Sequence, residues 1–405
     1  MANVSSSNGL EKRPKLRFPG FDEPWTKHNL DEMLCSRIEK QVPSAEAPLM
    51  AFTAEGGVEP KGERYDRSYL VKSDKKLYKR TEYNDFIYSS NNLDVGSIGL
   101  NKYGTAVISD VYEIFYAKKN TSPTFVSELI QRPHILSKVL KYRQGCLYGQ
   151  YRIYAEDFLK VPVYAPSINE QTKISAFLDS LDKKIATQHR LVRALKKYKR
   201  GAIRALLTPE SCPLSSVKWT HAQIGELGKF IKGASLSKAD IASDGTPFIL
   251  YGELYTTYNE VVTQVVRKTQ ADAESQYFSK TGDVVIPTSG ETPEDISTAS
   301  CIMLPGVILA GDLNIFRSSK IDGRIMSYIL NHIVNGSVAR VAQGKSIVHV
   351  QASEISKITI AYPDPETQLK LISIFDATNL RITQNEKVLE QLRTQRKALL
   401  QQLFI

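Results

Sequence analysis

Residues 161–207 read VPVYAPSINEQTKISAFLDSLDKKIATQHRLVRALKKYKRGAIRALL, and residues 358–404 read ITIAYPDPETQLKLISIFDATNLRITQNEKVLEQLRTQRKALLQQLF. The two stretches align without a gap at a constant offset of 197 residues. Pro166 matches Pro363, and most of the other pairs exchange similar residues. The chain is therefore a tandem repeat, and a repeat constrains the fold more strongly than any single motif.

The repeat extends upstream to the only two tryptophans in the chain, Trp25 and Trp219. Each tryptophan is followed by threonine and then by apolar residues at matching positions. Between the tryptophan and the long segment, the two halves diverge. We therefore divide the chain into an N-terminal segment, two divergent domains and two long segments, in the order 1–24, 25–160, 161–210, 211–357 and 358–405.

Each long segment carries apolar residues at alternating intervals of four and three, which is the pattern of a coiled-coil seam. A polar residue occupies an equivalent place in each seam, Gln188 in the first and Asn385 in the second. Both segments follow a proline and continue with helix-forming residues for about 40 positions, or roughly 60 Å of helix. The predicted seam residues are Ile174, Leu178, Leu181, Ile185, Gln188, Val192 and Leu195, followed by Leu371, Phe375, Ile382, Asn385, Leu389 and Leu392.

The two helices are predicted to pair with each other, because their lengths and polar interruptions match. The second divergent domain joins the end of one helix to the start of the other, and domain termini usually lie close together, so the pair must be antiparallel. This arrangement predicts that the two domains lie at opposite ends of the pair, that Gln188 faces Asn385, and that the N-terminal segment lies near the C-terminus. In the alternative, each helix packs only on its neighbouring domain.

The divergent domains are predicted to be α+β. Strand-like stretches such as TAVISDVYEIFYA (105–117) and GVILAGDLNIF (306–316) alternate with helical ones. The helical stretches include PTFVSELIQRPHILSKVLKY (123–142) and DGRIMSYILNHIVNGSVARV (322–341). The predicted fold is thus two α+β domains separated by two long helices that form an intramolecular antiparallel coiled coil.

The composition favours a soluble, cytoplasmic protein. No apolar run is long enough to cross a bilayer, and the first 20 residues lack the apolar core of a signal peptide. The four cysteines are widely separated, which argues for free thiols and against a zinc site or a disulfide framework. A formal net charge of +10 permits binding to a polyanion without establishing it.

The order of these features resembles the specificity subunits of type I restriction-modification systems. The resemblance rests on Pro-x(3)-Glu-Gln ahead of a long heptad helix, which occurs twice and is separated by divergent domains. Pro166 to Gln171 fits this motif, whereas the second copy has Thr367 in place of the glutamate. The stretch FPGF at residues 18–21 also resembles the opening of these subunits.

The resemblance implies that each divergent domain is a target-recognition domain that reads one half of a split, asymmetric sequence in double-stranded DNA. The helices would set the gap between the halves. The chain would hold two modification subunits with adenine-methyltransferase chemistry and would work with restriction subunits that translocate and cleave DNA. It would catalyse nothing and bind no metal or cofactor itself, because S-adenosylmethionine, ATP and magnesium would belong to these partners, and it would have no membrane partner.

Basic and amide side chains are the candidates for DNA contact, because Arg, Asn and Gln pair with base edges and Lys mostly binds phosphate. In the second domain, the candidates from Arg340 to His349 lie in a loop whose position before the repeat helix corresponds to residues 143–152. Ser289 could join that surface or belong to a plain surface turn. For any one of these residues, a solvated face without a DNA role is the alternative. The candidates are Lys72, Lys75, Lys76, Lys79, Arg80, Asn91, Asn92, Arg143, Gln144, Tyr148, Gln150 and Arg152 in the first domain, and Ser289, Arg340, Gln343, Lys345, Ser346 and His349 in the second.

The end of the first long segment is more basic than its counterpart and could track phosphates, bind a partner subunit or keep the helix soluble. Its basic residues are Lys183, Lys184, Arg190, Arg193, Lys196, Lys197, Lys199, Arg200 and Arg204.

No motif supports catalysis by this chain. Gly344-Lys345-Ser346 imitates the end of a phosphate-binding loop, but Ala339 stands where the earlier glycine is required. The main alternative function is a coiled-coil scaffold or adaptor with two protein-binding domains and no DNA specificity. Salt-dependent affinity for a specific duplex would distinguish the two functions.

Overall fold

The computed structural model describes residues 3–4, 12–53, 57–60, 76–91, 93, 96–147, 150–344 and 348–405. It divides into two compact units: unit 1 comprises residues 1–188 and 388–405, and unit 2 comprises residues 189–387. Each unit therefore contains the end of the long helix that belongs to the other repeat.

In the described part of the first half, short strands and four short helices precede the long helix. The strands are β1 (Asn3–Val4), β2 (Leu16–Arg17), β3 (Thr26–Asn29), β4 (Leu34–Ser36), β5 (Lys40–Gln41), β6 (Met50–Thr53), β7 (Gly57–Pro60), β8 (Tyr78–Thr81), β9 (Phe86–Ser89), β10 (Ile98–Leu100), β11 (Ala106–Ile108), β12 (Tyr112–Ala117), β13 (Gln144–Leu147), β14 (Gln150–Arg152) and β15 (Pro162–Ala165). The helices are α1 (Leu30–Met33), α2 (Pro123–Ile130), α3 (Pro133–Leu140), α4 (Ala155–Leu159) and the long α5 (Ile168–Leu206).

The second half follows the same plan and ends in a second long helix. Its strands are β16 (Trp219–Gln223), β17 (Gly228–Lys232), β18 (Thr246–Leu250), β19 (Val261–Val262), β20 (Arg267–Thr269), β21 (Asp283–Pro287), β22 (Ser289–Gly290), β23 (Ser300–Ile302), β24 (Ile308–Ala310), β25 (Leu313–Ser318), β26 (Val348–His349) and β27 (Thr359–Pro363). Its helices are α6 (Ile224–Leu227), α7 (Glu253–Thr256), α8 (Pro293–Ile296), α9 (Gly323–His332), α10 (Asn335–Arg340), α11 (Ala352–Ser356) and α12 (Pro365–Leu403).

The two long helices confirm the repeat, since α5 and α12 each contain 39 residues and begin 197 positions apart. They pack together in antiparallel orientation. In unit 1, Ile174 near the start of α5 shares a hydrophobic core with Leu400 near the end of α12. In unit 2, Ile203 near the end of α5 shares a core with Leu371 near the start of α12. The predicted coiled coil within one chain is therefore confirmed.

The ends of the predicted seam also belong to the domain cores. Ile174 packs in the same cluster as Trp25 and Phe125 of unit 1, so packing on the neighbouring domain accompanies helix pairing at this end. The proposed contact between Gln188 and Asn385 stays a prediction. Seven seam residues are buried, namely Ile174, Leu178, Val192, Leu371, Phe375, Ile382 and Leu389, and six are half-buried, namely Leu181, Ile185, Gln188, Leu195, Asn385 and Leu392.

Unit 1 is built around an antiparallel sheet with the strand order β10-β9-β12-β4. Alternate residues of β9 face opposite sides of this sheet. Phe86 packs in the large core that also contains Phe125 of α2, whereas Ile87 packs with Phe52 and Ile108 in a second cluster. Both faces of the sheet are therefore covered, which explains why β9 reads as a continuous apolar run.

Unit 2 repeats this plan with a sheet in the order β17-β25-β21-β23-β19. Val284 of β21 packs in the core that contains Ile325 of α9, and Val285 packs in a separate cluster with Ile249. The α+β class predicted for both domains is confirmed. One refinement concerns residues 123–142, where the predicted helix is divided into α2 and α3 at Pro133, whose ring cannot occupy a helix interior.

The chain ends meet within unit 1, as the sequence predicts. Leu16 and Phe18 of the N-terminal segment pack against the same core as Phe404. The carbonyl of Lys12 accepts from the backbone N of Trp25 at 2.8 Å, and the ring of Trp25 lies 6.2 Å from the ring of Phe404. Among the described residues, no helix is both long enough and apolar enough to span a bilayer.

Candidate nucleic-acid interface

The glutamine of the repeated motif anchors the start of each long helix. Gln171 is buried, its Oε1 accepts a hydrogen bond from the backbone N of Ser122 at 3.0 Å, and its Nε2 donates to the carbonyl of Pro166 at 2.9 Å. Ser122 is the N-cap of α2, so the side chain satisfies an amide that the helix itself leaves without a partner. The motif therefore fastens α5 to the domain beside it.

Gln368 makes the same two hydrogen bonds in unit 2. Its Oε1 accepts from the backbone N of Asp322, the N-cap of α9, at 2.9 Å, and its Nε2 donates to the carbonyl of Pro363 at 2.8 Å. The repeated sequence motif is thus a repeated structural device.

The glutamate of the motif has a role only in unit 1. Glu170 is buried and accepts two hydrogen bonds from the guanidinium of Arg17, at 2.9 and 2.6 Å. Arg17 belongs to the N-terminal segment and also donates to the carbonyl of Glu23 at 2.8 Å. In unit 2, Thr367 stands at this position and donates to Asp364 at 2.8 Å. Thr367, which departs from the motif, therefore makes a local hydrogen bond where Glu170 makes a long-range ion pair.

The two predicted contact loops occupy equivalent places in their units. In unit 1, the backbone N of Ile153 donates to the carbonyl of Ser90 at 2.9 Å. In unit 2, the backbone N of Val350, 197 positions later, donates to the carbonyl of Thr288 at 2.9 Å. Each loop thus returns to the end of a central strand, β9 or β21, immediately before the sequence enters the repeat.

The pairing of single residues extends this equivalence. Arg152 pairs across its hairpin with Gln144 and, on the other side, bridges to Asn91. His349, also 197 positions later, pairs across its hairpin with Gln343 and, on the other side, with Ser289. The structure therefore brings together several of the predicted contacts in each unit, and it places Arg152 and His349 at the same point of the fold.

In unit 1, the exposed Arg152 forms a hydrogen bond with a largely buried acidic side chain. Its Nη2 donates to Oε1 of Glu113 at 3.3 Å, and its guanidinium lies 4.9 Å from the ring centre of Tyr154. Glu113 is 13% exposed, and its other oxygen accepts from Nζ of Lys79 at 2.8 Å. Lys79 is itself largely buried and also donates to the carbonyl of Tyr112. DNA contact by Lys79 stays a prediction, and within the domain its charge is paired with Glu113.

The other described candidates of unit 1 are more superficial. The guanidinium of Arg143 lies 5.6 Å from the ring centre of Tyr151, and Nζ of Lys76 lies 5.2 Å from that of Tyr78. Arg80 pairs with Glu82 at 2.8 Å and with Gln41 at 3.1 Å. The side chain of Gln144 donates to Asp157. The predicted contacts Lys72, Lys75, Asn92 and Tyr148 lie outside the described residues, and of Gln150 only the backbone position in β14 is described.

In unit 2, Ser289 lies below the surface, where it supports His349. Its Oγ donates to Oδ2 of Asp312 at 2.9 Å and lies 2.9 Å from Nδ1 of His349. Ser289 is buried, whereas His349 is exposed. Direct DNA contact by Ser289 stays a prediction, and the described contacts of its side chain are with Asp312 and His349. Arg340 is exposed and donates to the carbonyl of Gly336, while the predicted contacts Lys345 and Ser346 lie outside the described residues.

The basic end of α5 is partly engaged within unit 2. Lys199 donates to Glu260 at 2.7 Å, and His332 contacts the other carboxylate oxygen of Glu260 at 2.7 Å. Burial disfavours ionisation of Glu260, but these hydrogen bonds and the charge of Lys199 outweigh it and lower the pKa of Glu260 to about 2. Lys196 pairs with Glu386 of α12 at 2.6 Å. These contacts give Lys196 and Lys199 structural roles in unit 2.

Sequence reasoning missed the residues that orient the exposed side chains. Glu113 and Asp312 come from the central strand β12 and from the residue before β25, and neither resembles a surface contact in sequence. The only available signal was the similarity of Glu113-Ile114-Phe115 to Asn314-Ile315-Phe316, which aligns the two strands.

The chain is similar to a known family in sequence and to known proteins in structure. Residues 23–197 and 216–394 each match the family described as type I restriction modification DNA specificity domain. No curated protein matches the chain in sequence.

Two solved structures share the fold over nearly the whole chain. The crystal structure of a type I restriction-modification system S subunit from M. genitalium is 15% identical and has a TM-score of 0.59, with coverage of 97% of this chain and 99% of that one. A chain from a structural study of complex assembly and conformational transition of the type I R-M system is 14% identical and has a TM-score of 0.57, with coverage of 95% and 98%. At these identities, the likeness concerns the fold. Because the two family matches together span most of the sequence, this chain belongs to the family of type I restriction-modification DNA specificity domains and contains two such domains.

Proposed function

We propose that this chain reads a split, asymmetric sequence in double-stranded DNA and docks the modification and restriction subunits of a type I system. The observation that carries the proposal is the pair of equivalent hairpins that present different side chains, Arg152 in unit 1 and His349 in unit 2. A symmetric dimer reads two identical half-sites. Two similarly built readers with different chemistry are suited to two unlike half-sites.

The long helices fit the other part of this role. Each would span about 58 Å at 1.5 Å per residue, and equal lengths at equal offsets favour a fixed gap between the half-sites. Two modification subunits would dock on this scaffold and supply S-adenosylmethionine-dependent chemistry, while restriction subunits would supply ATP and magnesium chemistry. We place this complex in the cytoplasm, and the chain itself would act by binding and not by catalysis.

The decisive experiment maps methylated adenines in DNA from cells that express this chain with its modification subunit. The expected result is one bipartite, non-palindromic motif that disappears when this chain is omitted. A palindromic motif would overturn the asymmetric reading. Retention of the same motif without this chain would show that specificity lies elsewhere.

Binding measured against salt concentration separates the proposal from the adaptor alternative. For the assembled methyltransferase, we expect the logarithm of the affinity for the mapped duplex to fall linearly with the logarithm of the salt concentration, because phosphate contacts release counterions. Absence of any duplex preference, together with stable assembly of the protein partners, would favour the adaptor.

A further inference from the structure

The hairpin positions 152 and 349 are equivalent but differ in chemistry. In each unit, an exposed side chain with hydrogen-bonding capacity emerges from a hairpin strand next to the end of a central strand. An acidic side chain supports each of them from a different place: Glu113 of β12 bonds Arg152 directly, and Asp312, just before β25, acts on His349 through the hydroxyl of Ser289. The two hairpin positions are thus equivalent, whereas their supporting contacts differ.

Arg152 is restrained on two sides. The carboxylate of Glu113 holds one edge of the guanidinium, and the ring of Tyr154 lies against its face at 4.9 Å. Lys79 donates to the second oxygen of Glu113. The single negative charge of this carboxylate is therefore shared between two cations and does not fully neutralise Arg152. A restrained guanidinium loses less side-chain entropy when it makes a second pair of hydrogen bonds.

A hydrogen bond with Ser289 restrains His349 and determines its tautomer. The hydroxyl of Ser289 has one proton, which it donates to Asp312. Its oxygen must then accept from Nδ1 of His349 at 2.9 Å, so Nδ1 carries the proton. In the neutral ring, Nε2 is therefore an acceptor, and the side chain that carries it is exposed. An acceptor suits the exocyclic amino groups of adenine and cytosine, which are donors in the major groove.

We propose that Arg152 and His349 are the specificity-determining residues of the two half-sites, a proposal that rests on the DNA-reading function above. A two-stranded ribbon fits the major groove, where arginine pairs bidentately with O6 and N7 of guanine. Arg152 reads a guanine in one half-site, and His349 reads the amino group of an adenine or cytosine in the other. Glu113 and the Ser289–Asp312 pair act as positioning residues.

The test measures base preference with the assembled methyltransferase on duplexes in which each base pair of the mapped motif is varied in turn. Arg152→Ala is expected to reduce discrimination by roughly 10- to 100-fold at one guanine of one half-site and to leave the other half-site unchanged. His349→Ala is expected to do the same at one position of the opposite half-site. The matched controls are Lys119→Ala and His221→Ala, which remove exposed side chains elsewhere in units 1 and 2.

Two further variants separate base reading from charge and from structure. Arg152→Lys keeps the charge and loses the bidentate fork, so it should lose the guanine preference while the affinity for random duplex stays within about twofold. Ser289→Ala should weaken discrimination only at the position that depends on His349. Unchanged discrimination in Arg152→Ala or His349→Ala, or a uniform loss of affinity for all sequences, would overturn the proposal. If the wild-type complex shows no bipartite preference, the DNA-reading function itself fails. This result differs from unchanged discrimination or uniform loss of affinity in the variants, which would overturn only the roles of Arg152 and His349.

Discussion

Arg17 and Glu170 form a buried ion pair between the N-terminal segment and the first turns of α5, with Nη2 and Oε2 2.6 Å apart. Glu170→Thr would install the residue that the second repeat carries and leave Arg17 buried without its partner. Because removal of one member of a buried pair leaves an uncompensated charge, we expect the free energy of unfolding of unit 1 to fall by about 3 kcal/mol. Hydrogen exchange of residues 16–23 measures this loss, and Thr367→Ala, expected to cost about 1 kcal/mol or less, is the control. Equal losses in the two variants would contradict the asymmetry between the repeats.

Gln171 and Gln368 should be equivalent in energy as well as in geometry. Replacement of either by alanine leaves a buried helix-cap amide and a proline carbonyl without partners, which costs about 1–3 kcal/mol. We expect faster hydrogen exchange at the amide of Ser122 in one variant and of Asp322 in the other. Gln384→Ala, which alters an exposed glutamine on α12, is the control. Unchanged exchange at both amides would show that the motif glutamine has no anchoring role.

Unit 2 should lose stability in acid because of Glu260. Its folded pKa, about 2, lies below its ordinary value of 4.5, so ionised Glu260 contributes stability above the ordinary value. This contribution, on the order of 3 kcal/mol, should disappear as the pH falls from about 5 to about 2. Urea unfolding of unit 2 between pH 7 and pH 3 measures the change. Glu260→Gln should flatten this part of the profile, and an equally steep profile in that variant would assign the acid sensitivity to other groups.

Two ion pairs between the long helices should differ in strength. Arg396 pairs with Asp182 at 3.0 Å and with the largely buried Glu128 at 2.6 Å, whereas Lys196 and Glu386 are each about half exposed. Arg396→Glu should destabilise unit 1 by about 3 kcal/mol, because two carboxylates would face a third. Lys196→Glu should cost about 1 kcal/mol or less. Thermal unfolding compares the two, and similar losses would mean that burial does not govern these pairs.

The sequence was sufficient for the elements that repeat and for the periodic face of the helices. A constant offset and a heptad pattern establish α5 and α12, since periodicity depends on neighbours a few residues away, and the domain that joins the two helices establishes their antiparallel orientation. Arg17–Glu170 could not be predicted, because the partners are 153 positions apart and one copy of the motif lacks the pair. Glu113 and Asp312 were missed for the same reason: each supports a side chain 37 to 39 positions away through the fold.

Each unit contains helical residues from both repeats, which bears on how such a chain can arise. Unit 1 draws its last helical turns from the second repeat, and unit 2 draws residues 189–207 from the first. An ancestral polypeptide of half this size could complete the same packing only by associating with a second copy of itself, because each copy would lend a helix end to its neighbour. Gene duplication and fusion would make that exchange intramolecular. Afterwards, either lobe is free to diverge under separate selection while the shared helical frame is retained.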